Sequence, residues 1–352
     1  MSGLGRIVSA MFASSWEYGT GAHTTILGNH RYRSVSRPSD TTYHARDVTV
    51  VIPTTDILSN TFHHVVNSIL KHSVAHIVIP TAGTKAKGQR AAFETLFSDP
   101  RILVLHREGT SRRQQTAQAM KYVRTPLLIL QDDHTYWPNE HSFLQSVIAP
   151  FEEPTTGAVG VVLEARHRQH PFSFSGLWNF LAYLNEHVLF GMMGPMNVDD
   201  DKFHTRWLID HGWNIVLQAG PETTMTTELG EWPKFNEQVL RWMRTSYRSN
   251  PRQLLHGMSW IRYPYTRFNL LVWFFRLSLI QEPLMFWLLH ATLQTYGELE
   301  YFKITATALY MWVVAMKFIK ISAHFEKHPR DIVYFPAYLK ASLLFQKAKG
   351  IS

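Results

Sequence analysis

Three groups of side chains in this 352-residue chain have the types and spacing to do chemistry. The first is Asp132-Asp133-His134, separated by Gln131 alone from the apolar run Leu127 to Leu130. Acids at the end of a strand can hold a divalent cation that bridges nucleotide phosphates, and acids in a surface turn look the same in sequence. The second is Asp199-Asp200-Asp201, close after Asn197 and before Thr205, Arg206 and Trp207. Three adjacent carboxylates repel, so such a run is normally solvated; in a cleft the same repulsion raises the proton affinity of one member and makes it a better general base. The third is Gln238-Val239-Leu240-Arg241-Trp242, in which Gln238, Arg241 and Trp242 share one helical face. An indole plane with amide and guanidinium donors suits a sugar or a diphosphate, while an amphipathic core helix has the same period. Glu164, His167 and His170 have zinc-ligand types, but Arg166 and Arg168 beside them favour a basic loop, and His63-His64 falls inside an amphipathic helix.

Composition narrows the choices. Cysteine is absent, which excludes disulfide scaffolds, thiolate zinc sites and cysteine nucleophiles, so any metal here is held by oxygen or imidazole. Hydrophobic residues make up 45% and charged residues 18%, with 13% aromatic, which points to apolar surface beyond an ordinary core. The net charge of +8 invites a nucleic-acid reading, yet the basic residues are spread along the chain and thicken around the apolar C-terminal third. An anionic membrane face accounts for that distribution at least as well as nucleic acid, which is not expected as a partner. Residues 1–46 contain no apolar run of signal-peptide length and read as a loosely ordered leader.

The elements that must position the acidic groups follow from short apolar, β-branched runs. These are Val48 to Ile52, Ile77 to Ile79, Ile102 to Leu105, Leu127 to Leu130 and Val159 to Leu163. Helix-like stretches lie between them: Ile57 to Leu70, Gln89 to Phe97, Ser111 to Tyr122 and Glu140 to Ile148. Start-to-start spacings of 29, 25, 25 and 32 residues match repeated strand-helix-strand units, which force parallel pairing through right-handed crossovers. The expected fold is an α/β, doubly wound, mostly parallel sheet over residues 47–260. Residues 261–352 differ: Asn269 to Leu293 is apolar and aromatic, and Ile304 to Met316 is uncharged and continues past Lys317 to Ile319. Each stretch is near the lower limit of about 20 residues for a membrane helix. Arg262 and Arg267 precede the first, and Lys317, Lys320, Lys327 and Arg330 follow the second, whereas the connection carries Glu298, Glu300 and Lys303. Two spans with basic flanks would put the α/β unit and the C-terminus on the cytoplasmic side; a pair of core helices is the alternative.

Taken together, Val51-Ile52-Pro53-Thr54, Arg112-Arg113-Gln114, Asp132-Asp133-His134, Asp200-Asp201 with Thr205, and Gln238-x-x-Arg241-Trp242 resemble the inverting, membrane-bound family 2 glycosyltransferases. That family includes hyaluronan, chitin and cellulose synthases. The wording around Asp199 to Phe203 and Arg241 to Asn250 is most similar to the fungal capsule-type branch. The resemblance runs from about Tyr43 to about Lys340 and implies a GT-A-like catalytic domain. It implies a UDP-sugar donor, a growing glycan as acceptor, a lipid membrane, and Mn²⁺ or Mg²⁺ as cofactor. By it, Asp132 faces the nucleotide, and Asp132 and His134 hold the metal. The imidazole stands where the family has an aspartate, a swap that favours Mn²⁺ over Mg²⁺. Asp201 falls at the general base with Asp200 beside it, Gln238, Arg241 and Trp242 at the donor diphosphate and acceptor site, and Arg113 or Arg112 at the nucleotide. Thr54, closing the Val51-Ile52-Pro53-Thr54 motif, falls among the substrate-binding residues.

Two departures from the family pattern are visible. The acid that follows the family's second strand is replaced by Pro80-Thr81-Ala82-Gly83-Thr84. The stretch between the fifth strand and the general base is short, with Leu177 to Ala182 running directly into Tyr183 to His187, as if some tens of residues were left out. The leading expectation is a membrane-bound glycosyltransferase. The rival is a shortened, weak or silent product that acts by binding or by association with a full-length synthase; a soluble nucleotide-binding protein is the third reading.

Overall fold

A computed structural model describes residues 34–109, 111–166, 200–228, 254–255, 257–264 and 278–339. Strand β1 (Val48–Val51) has all four side chains buried, the pattern of a strand covered on both faces in a parallel sheet. Helix α1 (Asn60–Leu70) follows. Its start is set by Ser59, whose hydroxyl accepts the Phe62 N–H at 3.2 Å, and it buries Phe62, Val65, Val66 and Ile69. Then come β2 (His76–Ala82), α2 (Gly83–Leu96), β3 (Ile102–Arg107), α3 (Arg112–Met120) and β4 (Leu127–Leu130). The four strands form one parallel sheet in the order β3-β2-β1-β4. Phe62, Phe93, Phe143 and Leu144 pack with Val48, Val50, Ile77 and Ile79 in the main core, and Ala119 packs with Val51, Val78 and Leu105 in a second cluster. Helices thus cover the sheet on both sides, as a doubly wound fold requires.

The expected strands and helices of this half are present, with one boundary well displaced. Helix α2 starts six residues before Gln89, because Gly83 has φ +88° and lets the chain turn from β2 straight into the helix.

The fifth expected strand, Val159 to Leu163, is divided. After β5 (Thr135–Tyr136) and α4 (Ser142–Ile148), the chain forms β6 (Thr156–Val161) and β7 (Leu163–Ala165), which belong to different sheets. Helix α5 (Asp200–Asp210), β8 (Asn214–Gln218) and β9 (Met225–Thr227) follow. Strand β6 pairs in parallel with β8, and β7 pairs in parallel with β9, which runs antiparallel to β5. Val162 is the break: its carbonyl accepts the Met225 N–H at 2.9 Å, so the chain leaves β8 there and takes up β9. A short continuous apolar run cannot tell one long strand from two short ones with different partners.

The end of the expected leader is bound to this unit. Gln218 is fully buried; its Oε1 accepts the Val35 N–H at 2.9 Å, and its Nε2 donates to Val35 O at 3.1 Å and to Ser146 O at 2.8 Å. Glu152 accepts the N–H groups of Thr42 and Tyr43 at 2.9 and 3.2 Å.

In the C-terminal part, α6 (Gly257–Arg262) precedes α7 (Ser278–Thr295) and α8 (Phe302–Lys327). Met285, Leu289 and Leu293 pack against Leu309 and Val313, and Lys317 donates to Glu282 at 2.6 Å across the same seam. Trp287, Ile304, Tyr310 and Met311 face outward. Among the described residues, one helix is long and apolar enough to cross a membrane: Leu299–Ile319, with a mean hydropathy of 1.4. The first expected span begins at residues 269–277, outside the described residues.

At Gly157 an added Cβ would stand 2.5 Å from the Trp213 Cβ, where only backbone movement relieves the overlap. Gly157→Ala should therefore destabilise the β6/β8 sheet by about 1–3 kcal/mol in urea titration; an unchanged midpoint would show that the approach is relaxed in solution.

Candidate active site

The strand order places the site. The chain moves from β1 to β2 to β3 in one direction and then returns to the other side of β1 to lay down β4, so the topology reverses between β1 and β4. In open α/β sheets, ligands bind outside the carboxyl ends of the strands at such a point. Val51 pairs with Leu130, and Gln131 N donates to Val51 O at 3.2 Å, so the two strands end level with each other. Immediately beyond them lie Thr54 and the Asp132-Asp133-His134 turn.

These residues form one polar relay. The Thr54 hydroxyl donates to Asp133 Oδ2 at 2.8 Å and accepts the Asp56 N–H at 3.3 Å. Asp133 Oδ1 lies 3.0 Å from His134 Nδ1, and the Arg112 guanidinium is paired with Asp132. Burial works against the charge on Asp133, but hydrogen bonds from His134 and Thr54 more than offset it, and its pKa lies below the usual carboxylate range. Burial likewise works against the imidazolium of His134, but the Asp133 hydrogen bond and the charge of Asp132 outweigh it and raise its pKa.

Two glutamines that sequence reasoning passed over hold this arrangement. Gln115 is buried in α3, three residues after Arg112, and its Nε2 donates to Thr54 O at 3.0 Å and Pro80 O at 2.8 Å. It ties the helix that carries Arg112 and Arg113 to the ends of β1 and β2. Gln131 is buried at the end of β4; its Nε2 donates to Thr135 O at 3.2 Å and its Oε1 accepts the Trp137 indole N–H at 2.6 Å, closing the acidic turn. An amide adjoining an apolar strand was the only signal for Gln131, and Gln115 stood next to the quoted Arg112-Arg113-Gln114.

Thr54, Arg112, Asp132 and His134 are thus gathered at one place, with Arg113 next to Arg112 at the start of α3. Asp200 and Asp201 open α5, ahead of buried Thr205. The side chains of Asp200 and Asp201, and all of Gln238, Arg241 and Trp242, lie outside the described residues, as do Asp199, His167 and His170. Among the described residues no three His, Asp or Glu side chains converge as a metal cage. The donor chemistry at Asp132 and His134 nevertheless fits a divalent ion. Asp133 takes one ring nitrogen of His134, which orients the other as metal-bound histidines require.

No protein-family model matches the chain. A type 2 glycosyltransferase of Zymoseptoria tritici is 25% identical over 361 aligned positions, covering 89% of this chain and 74% of the relative. A type 2 glycosyltransferase of Gibberella zeae is 31% identical over 265 positions, covering 62% of this chain and 49% of the relative. The chain is a glycosyltransferase. Its fold is that of a mannosyltransferase from Pyrobaculum calidifontis solved in complex with GDP-Man and Mn²⁺, with a TM-score of 0.51, 14% identity, and coverage of 91% and 97% of the two chains. The glycosyltransferase thus has its acidic turn at the switch point of a mostly parallel sheet.

The Asp133–His134 bond gives the enzyme a pH signature. The depressed pKa of Asp133 contributes stability above the ordinary carboxylate range, which is lost as pH falls through the folded value. The raised pKa of His134 contributes below its ordinary value of 6.5, and that part is lost as pH rises through the folded value. The pair is therefore worth most between roughly pH 4 and 6.5. Both side chains are more than one-third exposed, which keeps the value small. His134→Gln should cost about 1 kcal/mol at pH 5.5 and less at pH 8.5 in urea unfolding; an equal cost at both values would exclude the ionic bond.

Proposed function

We propose that the enzyme transfers a sugar from a UDP-sugar to a hydroxyl of a growing glycan, with inversion, at a membrane. The observation that carries this reading is the meeting of Thr54, Asp132, Asp133, His134 and Arg112 beyond the ends of β1 and β4. Asp132 and His134 would hold Mn²⁺ or Mg²⁺, which when bound neutralises charge on the donor diphosphate. Arg112 and Arg113 add cationic charge at the start of α3, with Arg112 already drawn to Asp132. In an inverting displacement the acceptor oxygen forms a bond to the anomeric carbon as the bond to the diphosphate breaks, and Asp201 takes the acceptor's proton. Asp200 stands beside the base. Gln238, Arg241 and Trp242 would line the diphosphate and acceptor. Membrane attachment is supported by the Leu299–Ile319 helix and the outward aromatic and aliphatic side chains of α7 and α8, and the basic flanks favour a cytoplasmic catalytic unit.

A specific observation favours a second reading, a shortened enzyme with weak polymerising activity that binds donor or associates with a full-length synthase. The alignment with the Zymoseptoria relative has 361 positions, more than the 352 residues of the whole chain. Since 89% of the chain is about 313 residues, about 48 positions of that relative have no counterpart here. The Gibberella alignment sets 265 positions against 62% of the chain, about 218 residues, again leaving about 47. The short stretch around Ala182-Tyr183 is where the sequence departs from the family pattern.

Membranes containing the full chain, incubated with labelled UDP-sugars or GDP-mannose and Mn²⁺, should release UDP and build glycan from one UDP-sugar. Asp201→Asn should lower turnover about 10²-fold or more with UDP binding retained; equal turnover would remove Asp201 from the base role. UDP binding without polymer, restored when a relative's extra block is inserted at Ala182-Tyr183, would establish the shortened reading.

The chain should also pellet with membranes and resist carbonate extraction, and quantitative recovery in the soluble fraction would refute the membrane assignment.

A further inference from the structure

A second polar cluster abuts the acidic turn, and no role assigned so far uses it. Glu228 follows β9, and its backbone N–H donates to His134 O at 3.1 Å, while the neighbouring Thr227 hydroxyl donates to the same carbonyl at 3.2 Å. The Glu228 carboxylate accepts the Tyr136 hydroxyl at 2.7 Å on one oxygen and the Thr61 hydroxyl at 3.1 Å on the other. Arg166, after β7, places its guanidinium 3.7 Å from the centre of the Tyr136 ring and 3.8 Å from Glu228. Three separate segments, α1, β5 and the end of β7, thus converge on a carboxylate carried by a fourth, the end of β9. Tyr136 is buried, and burial together with Glu228 pushes its pKa up to about 12, so it remains a hydrogen-bond donor at any working pH.

The Asp132–His134 turn leads from β4 into β5 and is closed on itself by the Gln131 amide, so its tie to the neighbouring sheet runs through the β5–β9 pairing and the contacts of Thr227 and Glu228 with His134 O and Tyr136. We infer that Glu228 is a positioning residue for the Asp132–His134 turn: its carboxylate fixes Tyr136 against α1, next to the backbone N–H that holds the His134 carbonyl, and so sets where the acidic side chains stand toward the donor. This rests on the proposed nucleotide-sugar function for its consequence in binding, but its structural part is independent of any ligand.

The full-length chain is purified from membranes in detergent as the parent, Glu228→Ala, Glu228→Gln and Tyr136→Phe. Hydrogen exchange is followed in the ligand-free protein, and UDP binding is titrated with and without Mn²⁺. In Glu228→Ala, amides of residues 132–136 should exchange about tenfold faster or more, while those of β2 and α1 keep their protection. UDP affinity in Mn²⁺ should fall about tenfold. Tyr136→Phe should show part of both effects, and Glu228→Gln, which keeps an acceptor for Tyr136, should restore most of both. Unchanged exchange at 132–136 overturns the positioning role. Faster exchange with unchanged UDP affinity in a parent that binds UDP confines Glu228 to local structure and also overturns it. A parent that binds no UDP overturns the proposed function instead, and exchange still decides the positioning of the turn.

Discussion

Strand β1 is paired on both edges and buried on both faces, and its carboxyl end cannot move unless β2, β4 and the helices packed on them move as well. That immobility is what lets a single hydroxyl act across the sheet. Thr54 is itself buried just past the strand, linked to β2 through its own N–H on Pro80 O at 3.2 Å, and from there it reaches Asp133 on the far side of the switch point. A hydrogen bond between two loops would confer little order if either loop were free. Here one partner is anchored to the core, so the bond transfers the rigidity of the sheet to the acidic turn.

The charges at this place are arranged so that none stands in isolation. Asp132 faces Arg112, and Asp133 faces Thr54 and His134. Preorganised charge is what group transfer to or from a diphosphate requires, because the protein then does not need to reorient dipoles as the leaving group departs. The intramolecular pairs hold both carboxylates in place without a ligand. The buried amides of Gln115 and Gln131 act at one remove, holding backbone rather than charge, and an error in either would misplace several side chains together.

Sequence was most informative where physical constraints are local. Strands β1 and β2, buried on both faces, had to be continuous apolar runs, β3 and β4 carried similar runs, and their spacing implied crossover helices, so the parallel sheet was legible from Val48 to Leu130. The acidic turn was legible because its residue types are able to do chemistry and lie just past a strand. What could not be read was partner choice. Val159 to Leu163 looks like one strand because its apolar character does not encode that β6 will take β8 and β7 will take β9. Asp133 read as a neighbour of the chemistry, whereas its bonds to Thr54, 79 residues away, and to His134 make it the centre of the relay. Such long-range hydrogen bonds depend on topology, and they leave no period in the chain.

The Gln218 amide has a consequence for where the folding unit begins. Its oxygen and nitrogen close a two-bond pair with the backbone of Val35, in a position with no access to water. A chain cut at the apparent boundary near residue 46 would leave that amide oxygen without its donor and the Glu152 carboxylate without its two backbone N–H groups. A buried polar group stripped of its partner costs about 1–3 kcal/mol, a large share of the stability of an ordinary domain. The folding unit that carries the acidic turn therefore includes Val35, well upstream of its first strand.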